Sequence, residues 1–399
     1  GWQGTGDLNL RGDLIIPIKA EGSPELSVDL SFDLDKVSLA MPDYRIVVHD
    51  LVGKGEFSLP HYLSGEFTGR LFGRPAEFRS HYDDEWLRFD INGSAAPADA
   101  YAILDSEPRF PASGEFEFDS ALNLAMSGGV TNLTLTSDLV GLLVELPGEF
   151  AKAKTTPVPG ELDIQFLAEY QSVRWLYKNV NGWLHYSDKI ERGALGIAEP
   201  PPMTAHEERA ILIAGYMPRL ALDDWVPTET ESGVGLPLDW TIQDLRVGQF
   251  VIDEMSFADV VLDGAQRGED LSFVLDSPTL KGKVDIPSAD IMSLNIAYLK
   301  IDDPDAGFDE HIGAPQQDPV SVEVGRSLPA AKVNIDQLDI GDEPFGSWQF
   351  TIEPRQDQVL FSDFSADVNG VHIRQNALVW DLSNDQSAFS GRIVLDDLI

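Results

Sequence analysis

The stretch ELSVDLSFDLD, residues 25–35, alternates apolar and polar side chains without a break. Its apolar positions are Leu26, Val28, Leu30, Phe32 and Leu34. A period of two places these five side chains on one face of an extended strand. The stretch therefore predicts a long β-strand whose apolar face needs a cover, either a second protein layer or something that is not protein.

The same alternation recurs from one end of the chain to the other. It is seen in GEFEFDSALNLAMSG (114–128), NLTLTSDL (132–139), GELDIQFLAEY (160–170), LSFVLD (271–276) and SWQFTIE (347–353). Glycine followed by an acid and then Leu or Phe recurs at irregular spacing, which is typical of turns that feed strands. Helical periodicity is confined to 141–154, which Pro147 interrupts, and 203–215. The sequence predicts an all-β chain of antiparallel hairpins laid side by side, with short helical excursions.

Composition limits the classes of partner. The chain has 399 residues and a formal net charge of −39, so its surface repels nucleic acid and anionic headgroups. It has no cysteine, which excludes disulfides and thiolate chemistry. No run of 18 apolar residues occurs, and the chain begins without a start Met, so we interpret it as a section of something longer.

Proline-rich stretches of the sequence indicate where the chain leaves the sheet. They lie at 154–160, 198–208 and 227–240. Residues 302–319 are acidic and lack periodicity, which is typical of a surface loop. We predict three sections, a first β-groove section (1–137), a middle section with the Pro-rich excursions (138–235) and a C-terminal groove section (236–399). All three are expected to form one continuous elongated sheet.

Catalytic and metal-binding motifs are missing from the sequence. The seven histidines lack metal-pair spacing, and no phosphate-binding or nucleophile-elbow motif occurs. The aspartates at 302, 303, 305 and 309 do not follow the ligand order of an EF-hand, and a solvated charge run explains them better. We therefore predict no catalytic residue, no metal, no cofactor and no enzymatic activity.

Alternation alone permits two architectures. Two ordinary β-sandwiches would bury the apolar faces against each other. A sheet that curls without closing would instead form a trough, apolar inside and acidic outside, and acyl chains would suit its inner face because they need area and no hydrogen bonds. The periodicity does not separate these two architectures.

Several longer phrases resemble the YhdP family of AsmA-like proteins. These are SDLVGLLVELPGEFAKA (137–153), GYMPRLALDDWVP (215–227), LPLDWTIQDLRVGQFVIDEMSFADVVLD (236–263), SPTLKGKVDIP (277–287) and GRSLPAAKVNIDQLDIGDEPFGSWQF (325–350). The resemblance covers roughly residues 130–399, and the first 130 residues agree only in style. Gly148-Glu149 departs from the small residues that the family usually has there, and the chain is unusually acidic.

The resemblance implies a function. YhdP-like and TamB-like proteins are anchored in the inner membrane of Gram-negative bacteria, and a long curled β-sheet carries phospholipids across the periplasm. This chain would be a periplasmic section that meets the two membranes through parts of the protein outside it. Phospholipid acyl chains would then contact the inward-facing residues, which parity assigns as Leu26, Val28, Leu30, Phe32, Leu34, Leu133, Leu135, Leu162, Ile164, Phe166, Phe350 and Ile352.

Two other functions remain open at this point. An AsmA-like scaffold would assist outer-membrane protein assembly and would offer an exposed strand edge to its partners. A secreted β-sandwich would bind polysaccharide and would carry a line of Trp and Tyr with Asn or Gln neighbours on one face. The regular stripes here are aliphatic with Phe, which counts against sugar binding on that face.

Overall fold

The structure is a computed structural model. It describes residues 3–16, 27–42, 46–58, 62–83, 86–104, 111–125, 128–187, 189–203, 210–225, 239–252, 255–302, 328–382, 388–391 and 394–396. The chain divides into two compact units, unit 1 (1–209 with 229–234) and unit 2 (210–228 with 235–399). The three predicted sections remain a prediction, because this division does not test them.

Unit 1 is built almost entirely from β-strands. Its strands are β1 (Gln3–Ile15), β2 (Ser27–Met41), β3 (Ile46–Ser58), β4 (Tyr62–Leu71), β5 (Arg74–Asp83), β6 (Trp86–Ala95), β7 (Ala112–Gly114), β8 (Phe116–Ala125), β9 (Thr131–Ser137), β10 (Leu142–Val144), β11 (Gly160–Phe166), β12 (Gln171–Tyr177), β13 (Val180–Tyr186) and β14 (Ile190–Ile197). One α-helix, α1 (Pro97–Leu104), follows β6. Twelve of these strands pair antiparallel in the order β1-β2-β3-β4-β5-β6-β8-β9-β11-β12-β13-β14. The short strands β7 and β10 pair with each other in a separate sheet, and Val144 of β10 also forms an antiparallel bridge with Lys152.

Unit 2 is also a sheet. Its strands are β15 (Ala210–Ala221), β16 (Asp239–Ile252), β17 (Met255–Arg267), β18 (Asp270–Asp276), β19 (Leu280–Ile286), β20 (Met292–Ile301), β21 (Ala331–Ile340), β22 (Glu343–Arg355), β23 (Gln358–Val368), β24 (Val371–Asp381), β25 (Ala388–Gly391) and β26 (Val394–Asp396). The prediction of an all-β chain with short helical excursions is confirmed, and the sheet does not close into a barrel.

Two strand pairings differ from the predicted run of hairpins. β15 pairs parallel with β16, and β20 pairs parallel with β21. Parallel neighbours need a crossover connection, and the chain between these partners includes residues 226–238 and 303–327, outside the described residues. The predicted helical turn at 203–215 is wrong from residue 210 onward, where the chain forms β15. Pairing with the neighbouring strand β16 outweighs the weak helical periodicity of this stretch.

β-Bulges bend the first three strands of unit 1 at adjacent positions. The pairing register shifts at Thr5/Asp7 in β1, between Leu34 and Val37 in β2, and between His49 and Val52 in β3. In β2 the polar pair Asp35-Lys36 interrupts the alternation, so Leu34 and Val37 both face the same side although three positions separate them. Bulges increase the twist and bend of a strand. Their alignment across neighbouring strands therefore helps to curve this part of the sheet.

A short distance shows directly that the sheet curls. Cα atoms of β4 and β6 approach within 8 Å of each other although β5 lies between them. In a flat sheet two strand spacings would separate these strands by about 9.6 Å. The sheet of unit 1 is thus sharply curved at β4–β6. We call the face that carries the buried residues of this curve, among them Ala76 and Phe78, the inner face.

Residues 137–153 pack on the inner face. Leu139, Leu142 and Val144 form a buried cluster that contacts Phe116 and Tyr177. The chain then makes a single 3-10 turn, Gly148–Phe150, directly after Pro147. This turn lies within the range 141–154 predicted to be helical, but residues Leu142–Val144 of that range form strand β10 instead. The segment closes one side of the inner face near the ends of β8 and β12.

Lys152 holds this segment in place. Its side chain is only 3% exposed, and its Nζ donates to the carbonyl oxygens of Leu142 (2.9 Å) and Ala153 (3.1 Å). Burial lowers the pKa of the ammonium group, and nearby Asp138 opposes that shift. The Leu142 carbonyl therefore depends on this buried cation, whereas the Ala153 carbonyl also accepts from the Thr156 amide (3.2 Å).

We expect Lys152→Met to lower the free energy of unfolding by about 1 to 3 kcal/mol, because the buried Leu142 carbonyl loses its donor. Urea unfolding followed by circular dichroism measures the change. The matched control is Lys154→Met, since Lys154 is exposed and lies two residues away. Equal stability of the two variants would contradict the proposed role of Lys152.

Within the described residues, no helix is long and apolar enough to cross a membrane.

Candidate functional site

An unbroken line of directly opposed residues crosses all twelve strands of the unit 1 sheet. We call it the first inner row. Following the pairing register from β1 to β14, it consists of Leu10, Phe32, Gly55, Gly65, Ser80, Phe89, Leu122, Leu133, Ile164, Val173, Leu184 and Gly193. It contains no charged residue, and Ser80 is its only polar member.

A second inner row runs beside the first, two residues along each strand. It consists of Leu8, Leu34, Gly53, Phe67, Phe78, Ile91, Ser120, Leu135, Leu162, Trp175, Gly182 and Leu195. This row also lacks charge, and Ser120 is its only polar residue. Eleven strand spacings make each row about 53 Å long, measured along the sheet.

The degree of burial shows how far other parts of the chain cover these rows. Phe32, Leu34, Phe89, Leu122 and Ile164 are half-buried. On β1, Leu8 is 53% exposed and Leu10 is 56% exposed. A β-sandwich would bury such residues against a second sheet, yet the only separate sheet in the described chain is the two-stranded β7–β10. The rows therefore line an apolar surface that remains open, as the trough interpretation predicts and the sandwich interpretation does not.

One side of this surface is sealed. Val37, Leu51, Leu71, Ala76 and Phe118 are buried together on the inner face, farther along the strands than the second inner row. The segment 137–153 continues the seal toward β12 through its contact with Tyr177. The inner face is thus a groove, with a packed wall on one side and two half-exposed rows beside it.

Aromatic rings lie over glycines on the groove floor. A Cβ added to Gly55 would lie 2.3 Å from Phe32 Cζ, and one added to Gly182 would lie 2.3 Å from Trp175 Cζ2. Each glycine is directly opposite its aromatic partner in the register. The Phe32 ring also stacks on Phe67, with 6.0 Å between ring centroids and 15° between planes. The missing side chains let large rings lie along the floor.

The Ser80 hydroxyl is the least satisfied polar group of the floor. Ser80 is 5% exposed, and its Oγ has no hydrogen-bond partner in the described part of the chain. Burying a hydroxyl without a hydrogen bond costs much less free energy than burying a charge, so Ser80 interrupts the apolar floor only weakly. The groove thus presents an almost wholly apolar surface with no strong site for a polar ligand.

The predicted lining residues of unit 1 come together on this face. The first inner row contains Phe32, Leu133 and Ile164, and the second contains Leu34, Leu135 and Leu162. Val28 and Leu30 continue the same face of β2, opposite Leu14 and Gly12 of β1, and Phe166 lies opposite Thr131 and Gln171. Leu26 lies outside the described residues. Their contact with lipid remains a prediction.

Sequence reasoning missed the glycines and aromatic residues between these positions. The turn interpretation of the glycine–acid–Phe phrases is wrong at Gly55 and Gly65, which lie mid-strand on the inner face, and Gly53 belongs to no such phrase but lies on the same face. The signal that could have found them is the G-x-G spacing of 53–55, which keeps the strand period of two.

Unit 2 carries an inner row of its own. From β15 to β22 it consists of Ile213, Ile242, Gly264, Phe273, Val284, Leu294, Val333 and Phe350. Predicted residues Phe350 and Ile352 are half-buried and pack against the buried cluster of Ala331, Val333 and Ile335. Phe350 contacts Phe361 edge to face, with centroids 5.8 Å apart. Unit 2 thus repeats the charge-free row of unit 1.

No group of three or more potential ligands in the described residues could hold a metal ion. Of the aspartates considered for calcium, those at 303, 305 and 309 lie outside the described residues.

Comparison with known proteins identifies the family. The family model described as YhdP protein matches residues 1–398. The chain belongs to the YhdP protein family. The match confirms the resemblance and extends it over the first 130 residues, where the phrases alone gave only a likeness of style. No curated protein and no solved structure gives a significant match. YhdP family membership suggests a bridge-like lipid transport protein.

Proposed function

We propose that this chain carries phospholipids along the inner-face groove as a section of a bridge between the inner and outer membranes. One observation carries the proposal, namely the two charge-free, half-exposed rows that cross twelve strands. Membership of the YhdP family supports it. The charged residues alternate onto the opposite face, so acyl chains and water each meet a suitable surface.

The groove is long enough to hold more than one phospholipid, one behind another. A bilayer's hydrocarbon core, two acyl layers thick, measures about 30 Å. Each inner row of unit 1 is about 53 Å long, so acyl chains of more than one phospholipid fit along it. The headgroups would lie in water at the open side, opposite the packed wall.

The place of the chain in the cell belongs to the same proposal. We expect it in the periplasm, as part of a protein anchored in the inner membrane, meeting both membranes through segments outside this chain. A net charge of −39 opposes binding to nucleic acid. Transport along such a surface needs no cofactor and no catalytic residue, so we expect no enzymatic activity.

The first experiment measures bound lipid. The chain is purified without detergent and extracted with organic solvent, and phospholipid is quantified by mass spectrometry. We expect phospholipid in a stoichiometric rather than a trace ratio to protein, because an exposed apolar groove of this size needs a cover. A monodisperse, folded chain free of lipid would overturn the proposal.

A scaffold for outer-membrane protein assembly is the second candidate function. All thirteen residues of β1 are exposed, and within the described chain β1 pairs only with β2. An open strand edge can accept a strand from another protein. A lipid-free chain that captures an unfolded outer-membrane protein would favour this function over lipid transport.

A further inference from the structure

The outer face of unit 1 carries a second line of directly opposed residues, which we call the polar ladder. From β5 to β14 it consists of His81, Arg88, Asn123, Asn132, Gln165, Ser172, His185 and Arg192. Eight strands contribute one residue each, so the ladder is about 34 Å long. Every member can form hydrogen bonds, and none is a carboxylate.

The lack of carboxylates is unusual in this chain. The protein has 67 acidic residues against 28 basic ones, and the outer face holds acids on nearby positions such as Glu66, Asp90 and Asp163. The ladder instead carries two arginines, and imidazole, amide and hydroxyl groups lie between them. It is therefore a carboxylate-free strip of hydrogen-bonding and cationic groups on a face that elsewhere mixes acids with basic residues such as Arg79 and Arg174.

A shallow pocket of about 240 Å³ lies at the β5 end of the ladder. His81, Trp86, Arg88, Asn123 and Asn132 line it. Asn123 Nδ2 donates to Asn132 Oδ1 over 2.8 Å, which leaves the Asn132 amide donors and the Asn123 Oδ1 acceptor for a ligand. Arg88 binds Asp90 through Nε (2.7 Å), so its terminal nitrogens remain for a ligand. An indole wall beside paired amides and a guanidinium suits a ligand with both an apolar face and polar edges.

Aromatic groups also border the far end of the ladder. The His185 ring stacks on Tyr170 with centroids 4.3 Å apart and lies 5.1 Å from Trp183. Trp183 Nε1 donates to the Pro202 carbonyl oxygen (2.8 Å), so the Pro-rich segment bounds the ladder on this side. Arg192 Nε lies 3.2 Å from His185 Nδ1. Both ends thus combine ring surfaces with an arginine.

We propose that the polar ladder binds a linear glycan that bears carboxylate groups. Its rungs repeat at the strand spacing of 4.7–4.9 Å, close to the length of one pyranose unit, so successive sugars meet successive side chains. The carboxylates of the glycan pair with Arg88 and Arg192, and its hydroxyls bond to the amides between them. This site lies on the face opposite the groove and does not depend on the lipid proposal.

Two other polymers fit less well. A nucleic acid carries a phosphate at every nucleotide and needs cations along its whole length, whereas Arg88 and Arg192 are the only permanently charged members of the ladder. An added protein strand needs unpaired backbone groups, whereas the ladder lies on a sheet face whose backbone groups are already paired. A glycan needs only side-chain donors, acceptors and ring faces.

Isothermal titration calorimetry with a hyaluronan hexasaccharide, which bears a carboxylate on every second sugar, tests the proposal on the 399-residue chain. Chitohexaose serves as the neutral glycan, and soluble dihexanoylphosphatidylglycerol represents an anionic lipid headgroup. Arg88→Gln/Arg192→Gln removes the two cations. Asn132→Asp places a carboxylate in the ladder at almost unchanged size. The matched control, Lys54→Gln/Arg70→Gln, makes the same charge change at exposed outer-face positions beyond the ladder.

We expect the wild type to bind the hyaluronan hexasaccharide more tightly than chitohexaose. Both ladder variants should bind it about tenfold more weakly or worse, and the control should bind it as the wild type does. Circular dichroism checks that each variant is folded. Absence of hyaluronan hexasaccharide binding, an equal loss in the control, or tighter binding of chitohexaose or of the lipid would each overturn the proposal.

Discussion

Replacing Phe32 with Asp is expected to remove most of the phospholipid that co-purifies with the chain. Phe32 lies in the first inner row, over Gly55 and against Phe67. An ionised carboxylate at this position would face acyl chains, at a cost of several kcal/mol. That corresponds to a loss of tenfold or more in bound lipid, measured by mass spectrometry of the extracted protein.

The control for this variant is Ser31→Asp. Ser31 is the neighbouring residue on β2, points to the outer face and is exposed. It gains the same charge without facing the groove, so its lipid content should stay that of the wild type. Phe32→Asp also loses a ring stack, so circular dichroism must show that the sheet persists. A folded Phe32→Asp chain with unchanged lipid would contradict the groove.

Gly55→Ala is expected to obstruct the groove without adding any charge. The new Cβ would lie 2.3 Å from Phe32 Cζ and 2.8 Å from the Ser64 carbonyl oxygen. The ring is the more mobile of these neighbours, so it must lift from the floor toward the lipid path. We expect bound phospholipid to fall several-fold and stability to fall by about 1 to 3 kcal/mol, as overpacking usually costs.

The double variant Phe32→Leu/Gly55→Ala separates obstruction from misfolding. A shorter side chain at position 32 leaves room for the alanine methyl group, so lipid content should recover toward the wild-type value. Phe32→Leu alone should bind lipid normally and completes the double-mutant cycle. Without any recovery in a folded double variant, the lifted ring would not be the cause of the lost lipid.

Strand identity could be predicted from the sequence because alternation is a local signal. In β2 the period of two runs from Val28 to Leu34, and it identifies which residues of the strand point to the inner face. The bulge at Asp35-Lys36 was harder to predict, because a polar pair inside a strand also fits a turn. Only the register with β1 and β3 shows that Val37 returns to the inner face.

Pairings between distant strands could not be predicted from local patterns. The parallel pairs β15–β16 and β20–β21 look like any other strands in sequence, since direction depends on the path of the connection. The same limit concealed the polar ladder. Asn123, Asn132 and Gln165 are ordinary outward-facing residues until the register places them side by side.

The sequence alone predicts the apolar face of the groove but not whether another part of the chain covers it. Alternation predicts an apolar face but does not separate a trough from a sandwich, and the partial burial of Phe32, Leu122 and Ile164 favours the trough. Burial depends on what the rest of the chain places opposite a face. No window of ten residues contains that information.

The rings that lie over glycines also constrain how this protein can evolve. Phe32 with Gly55, Trp175 with Gly182 and Phe273 with Gly264 each form an opposed pair in which the glycine leaves room for the ring. A substitution of the glycine alone displaces the ring, and loss of the ring alone exposes bare backbone. We therefore expect each pair to tolerate replacement only when both positions change, whereas an aliphatic position between them should accept another aliphatic residue of similar volume by itself.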